Sequence, residues 1–91
     1  LSKPENFKLE PGPNAGSVKL SVKAVENADF YEFQYTPAPA TAASVWQTVT
    51  SKKRTTIIEG LTSGGQYAFR AAAAGSDKSR VWTNVITSFV V

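Results

Sequence analysis

The chain of 91 residues has no histidine, no cysteine and no methionine. Each absence removes a class of chemistry. Without cysteine there is no disulfide frame, no thiolate nucleophile and no Cys-ligated zinc or iron–sulfur site. Without histidine there is no imidazole base, no Ser-His-Asp triad and no His-held metal. Long hydrophobic runs are missing too. The longest last only a few residues, against roughly 20 for a bilayer span, so no membrane insertion is expected. Leu1-Ser2-Lys3-Pro4 opens straight into polar sequence with neither an initiating Met nor a signal-peptide pattern, as expected of a processed or excised chain.

The apolar residues present make up 42% of the chain, and 12 of them are alanine, which leaves 26 larger side chains for a core. Ordering a chain of this length costs on the order of 100 kcal/mol in backbone entropy. Nearly all of the larger apolar residues are therefore needed inside one domain, residues 1–91. Little volume is left for a deep ligand pocket of about 300–1,000 Å3.

Positive charge exceeds negative only mildly, with 10 Lys and Arg against 7 Asp and Glu. The densest cluster, Lys52-Lys53-Arg54, falls between two strand-like segments and reads as a solvated turn. It lacks the recognition motif or stacking aromatics that mark a nucleic-acid footprint, so no nucleic-acid partner is expected.

The prevailing period is two. Val18, Leu20 and Val22 alternate with Lys19, Ser21 and Lys23, and Tyr31, Phe33 and Tyr35 alternate with Glu32, Gln34 and Thr36. Such alternation marks strands buried on one face. Turn residues punctuate the runs, among them Pro11-Gly12-Pro13-Asn14, Ser63-Gly64-Gly65 and Gly75-Ser76-Asp77-Lys78. The pattern predicts seven strands, near 6–10, 17–25, 29–36, 45–50, 55–59, 65–74 and 80–89, and thus an all-β sandwich of antiparallel strands. Residues 66–74 pull the other way, because Ala68 and Ala71 to Ala74 are strong helix formers. An isolated helix that short is marginal, however, and alternation places Tyr67, Phe69, Ala71 and Ala73 on one strand face.

Gly60-Leu61-Thr62-Ser63-Gly64-Gly65-Gln66-Tyr67-Ala68-Phe69-Arg70 resembles a stretch found in fibronectin type III domains, G-L-x-P-G-x-x-Y-x-F-R. Pro4, the run from Ser17 to Val22, Tyr31-Glu32-Phe33-Gln34-Tyr35, Trp46 and Trp82-Thr83-Asn84-Val85 extend the resemblance over the whole chain. It implies an immunoglobulin-like sandwich in which Tyr67 forms a corner, its hydroxyl bonded to nearby backbone. The overall character is similar to small bacterial members, which implies a secreted or cell-envelope setting. Two departures stand out. Val22 occupies a position where many members carry a core tryptophan, so Phe33 and Phe69 are expected to fill the centre. Ser63 replaces the turn proline.

Enzymatic chemistry finds no foothold. The glycines at 60, 64 and 65 lack the Lys-Ser/Thr of a phosphate loop. Asp29, Glu32 and Glu26 read as surface carboxylates, whereas a glycosidase needs a cleft pair with one raised pKa. No motif calls for a cofactor, and the scattered acids supply no calcium loop. Thr56-Ile57-Ile58-Glu59 scans as a capping box, but Gly60 follows it and a strand is expected.

The aromatics carry the interaction hypotheses. If Trp46 and Trp82 lie on the outer face of a sheet, Arg70 fits between them in a cation–π contact. That row either merely covers the sheet or forms a contact surface for a protein partner or a neighbouring domain. The candidate contact residues are therefore Trp46, Arg70 and Trp82, together with Ser76, Asp77 and Lys78 in the last hairpin loop. The expected role is a non-catalytic spacer or protein-interaction module. An alternative is a carbohydrate-binding module that stacks sugar rings on the tryptophans. Phe30 is expected outward or under the long loop, in a small patch with Pro37 and Pro39.

Overall fold

A computed structural model describes all 91 residues and contains seven strands and no helix. They are β1 (Lys8–Pro11), β2 (Val18–Ser21), β3 (Phe30–Pro37), β4 (Gln47–Ser51), β5 (Thr55–Ile58), β6 (Gln66–Ala74) and β7 (Ile86–Phe89). One sheet has the order β1-β2-β5 and the other β4-β3-β6-β7, with every pairing antiparallel. Each run of alternating residues has become a strand because its apolar positions fall on the face turned to the opposite sheet.

Between the sheets lie Val18, Leu20, Val22, Phe33, Phe69 and Val90, all fully buried. Phe33 and Phe69, as expected, fill the centre that Val22 leaves open. Tyr31 also lies inward, and its hydroxyl accepts the Val25 N–H at 2.9 Å. No buried side-chain polar atom is left without a hydrogen-bond partner, so the interior carries no desolvation penalty of that kind.

The alanine-rich segment is β6, bonded to β3 on one side and β7 on the other. Ala71 and Ala73 face the core, while Ala68, Ala72 and Ala74 face outward and are buried as well. A methyl group on the outer face sits below longer neighbours that roof it over. The central position of the strand thus overrides its helix propensity, as tertiary context commonly does.

Two strand boundaries fall short of the alternation. β2 stops at Ser21 because the next backbone donors turn to other partners: Val22 N–H bonds Arg54 O and Lys23 N–H bonds Glu5 O. β7 begins only at Ile86. Upstream, Thr83 N–H bonds Ala71 O, but the Thr83 hydroxyl, not a carbonyl, accepts the Ala71 N–H, which breaks the ladder.

Candidate functional site

The outer face of the four-stranded sheet is ordered in rows by the pairing register. Gln34 on β3 lies opposite both Arg70 on β6 and Thr48 on β4. Arg70 Nε donates to Gln34 Oε1 at 2.7 Å, and Gln34 Nε2 donates to Thr48 Oγ1 at 3.0 Å. Trp46 just precedes β4 and Trp82 lies in the segment leading to β7. Their rings flank the guanidinium, whose carbon is 4.2 Å from one indole centroid and 4.4 Å from the other. The cation thus stands over two indole rings and is fixed at its Nε by an amide. Burial between the rings lowers the Arg70 pKa from its ordinary value, which still leaves the group charged at neutral pH.

The adjacent row is held by a second arginine. Arg80 pairs through Nε with Glu32 Oε1, and its guanidinium carbon stands 5.8 Å from the Phe30 ring centroid. Its Nη1 also donates to the carbonyls of Asp77 and Ser79, at 3.0 and 2.9 Å. Arg80 therefore ties the β6–β7 loop to the sheet face. In that loop Ser76, Asp77 and Lys78 are exposed. The Ser79 N–H donates to Asp77 Oδ1 at 3.0 Å, and this bond holds the carboxyl below its ordinary pKa.

Of the residues singled out by sequence, Trp46, Arg70 and Trp82 converge in one row. Ser76, Asp77 and Lys78 stand apart from it, at one end of the sheet beyond Arg80. Sequence parity puts Gln34 and Glu32 on this face with Arg70, but it missed Arg80. The outward parity of Gln34 and Glu32 was readable, but their partners depend on a register that no local pattern encodes. Phe30 lies outward, as parity has it, but not where the expected patch requires. It lies on the outer face under Arg80, at the opposite end of β3 from Pro37, about 23 Å away at 3.3 Å per residue. No patch with Pro37 and Pro39 forms.

The carboxylates offer no acid–base pair. Glu32 is the only half-buried one, and Arg80 neutralises it; Asp29 and Glu26 are exposed. The basic run Lys52-Lys53-Arg54 occupies the turn between β4 and β5 and is exposed. At the corner, Tyr67 OH accepts the Thr62 N–H at 3.0 Å while its ring packs against the core.

This architecture is the fibronectin type III fold. The FN5 domain of Drosophila Lar superposes with a TM-score of 0.73 at 18% identity, covering 96% of this chain and 92% of that one. The fn3 domain of human contactin 1 gives 0.76 at 19% identity, with coverage of 94% and 74%. Chicken CNTN1 FN1-FN3 domains give 0.78 at 18%, covering 97% of this chain and 31% of that one. No protein-family model matches the chain, and no curated protein matches it in sequence. No helix is long and apolar enough to cross a membrane.

Proposed function

We propose that residues 1–91 form a non-catalytic module that acts as a spacer or protein-interaction domain of a secreted or cell-surface bacterial protein. The carrying observation is the Trp46–Arg70–Trp82 row, in which both indoles remain partly exposed although the cation between them is clamped by Gln34. Tryptophan and arginine are the residue types that dominate binding energy at interfaces, and a rigid row loses little entropy on contact. The Ser76–Lys78 loop, which Arg80 anchors at one end of the same sheet, offers a second contact region apart from the row. One similar structure contains several such domains in one chain, which supports the spacer side of the reading.

The sugar-stacking alternative fits less well, since the guanidinium occupies one face of each indole. Tryptophan fluorescence titrated with neutral polysaccharides tests it, and a flat response removes it. The protein-interaction reading is tested with Trp46→Ala, comparing the urea midpoint and the retention of cell-envelope proteins on the immobilised domain. Unchanged stability with lost retention supports a contact surface. Lost stability with unchanged retention reduces the row to a cover for the sheet.

A further inference from the structure

The opposite face of the molecule carries a different chemistry. Lys19 on β2 and Lys23, two residues beyond the end of that strand, are both exposed and lie about 13 Å apart at 3.3 Å per residue of extended chain. Lys8 enters from β1, in register with Ser21 between them, and Thr55 flanks Ser21 from β5. The β4–β5 turn then folds Lys53 and Arg54 over the same face, with Arg54 Nη1 anchored to Val22 O at 3.2 Å. Two shallow recesses that share Ser21 and Arg54 join these groups into one trough. One is bounded by Asn6, Lys8 and Lys23, the other by Glu10, Lys19 and Lys53.

Five cations therefore line a single strip, with Glu10 as the acid within it. None of the five makes an ion pair; the molecule's sole salt bridge, Glu32–Arg80, lies on the other sheet. Unpaired like charges held together by a fold raise the local potential and attract a counter-charge. A net charge of +3 conceals this asymmetry.

We infer that the outer face of the β1-β2-β5 sheet binds a linear acidic polysaccharide, sulfated or carboxylated, along the trough. The spacing of the cations over more than 10 Å suits a chain of repeated charges better than a single small anion. The residues forming the trough include no aromatic, so nucleobases have nothing to stack on. Ile57 is the one large exposed apolar side chain on these strands, too little to wedge into a bilayer. Ser21 supplies a hydroxyl group between the charges, while the Thr55 hydroxyl beside it donates to the Leu20 carbonyl at 3.0 Å.

The test is calorimetric titration of the intact domain with a heparin dodecasaccharide and with an alginate oligomer. Three samples are compared: wild type, Lys19→Gln/Lys23→Gln, and the equally charged control Lys3→Gln/Lys52→Gln. Circular dichroism and urea midpoints confirm that all three are folded. Wild type is expected to bind one or both polymers at 50 mM NaCl. Counterion release by about four neutralised charges weakens binding on the order of 100-fold by 200 mM. The trough variant is expected to lose about 10-fold or more, and the control variant less than about 3-fold. Which polymer binds separates sulfate from carboxylate recognition. Absence of binding to both, or equal losses in the two variants, overturns the inference. Tighter binding of an oligothymidylate or of phosphatidylglycerol vesicles than of either polysaccharide also overturns it.

Discussion

Gly16 and Gly60 share a backbone conformation, with φ of +77° and +76°, but not an environment. A Cβ added at Gly60 meets nothing within 4 Å, whereas at Gly16 it falls 2.3 Å from the Leu61 carbonyl oxygen. Replacing Gly60 by Ala thus costs only the left-handed conformation, about 1 kcal/mol once the stiffer unfolded chain is included. Gly16→Ala carries that cost and a collision with main chain that has no rotamer to change. The two partners are locked together: Leu61 N–H bonds Gly16 O at 2.9 Å, and Gly16 N–H bonds Val91 O at 2.9 Å. Relieving the overlap stretches or breaks these bonds at about 1 kcal/mol each, and it shifts Leu61, a buried residue packed in the core cluster. Gly16→Ala should therefore lose about 3–4 kcal/mol, against about 1 kcal/mol for Gly60→Ala. For a domain this small the gap of about 2–3 kcal/mol corresponds to roughly 10–20 °C in Tm. Urea denaturation with linear extrapolation measures both variants. Equal losses within about 0.5 kcal/mol would refute the reasoning, because they would mean that φ alone sets the cost.

Tyr67→Phe removes the acceptor of the Thr62 N–H and should cost about 1 kcal/mol at pH 7 by urea denaturation. Hydrogen bonds from Thr62, its hydroxyl first and its backbone N–H second, lower the Tyr67 pKa from 10.0 against the opposing effect of burial. The folded state thus favours the phenolate. That contribution is full above the unfolded value and vanishes as pH falls through the folded one, so the gap between wild type and Tyr67→Phe should widen from pH 7 towards 10. Arg70→Lys keeps the charge but gives up the planar stack and the Gln34 bond, and should lose about 1–2 kcal/mol with a shift in tryptophan emission. Unchanged emission would show that the row is not populated in solution. Asp77 should titrate below its ordinary carboxylate value in carbon-detected NMR, and its loop contribution should disappear only as pH falls through that lowered value. Mutating Ser79 to proline, which removes the donated N–H, should return the midpoint towards normal.

Seven strands were legible because a half-buried strand must alternate, and Val18 to Val22 and Tyr31 to Tyr35 do so without interruption. The corner at Tyr67 was legible from a local motif, and it survives with Ser63 in place of the turn proline. The end of β2 and the start of β7 were not, since each depends on a partner far along the chain: Arg54 and Glu5 in one case, Ala71 in the other. Propensity alone misreads Ala71 to Ala74, because helix preference is a local quantity and the room around a methyl group is not.

The surfaces divide in the same way. Period-two parity was enough to turn Arg70 outward, whereas Trp46 and Trp82 lie outside the strands and only the fold brings them to its two sides. Of Lys8, Lys19, Lys23, Lys53 and Arg54 only the last two are neighbours in sequence; the pairing of β1 and β5 with β2, and the turn between β4 and β5, bring all five to one face. Alternation of side chains follows from backbone geometry and is written residue by residue. Which alternating segments become neighbours is chosen by closing a core around Phe33 and Phe69, and that choice belongs to the folded chain as a whole.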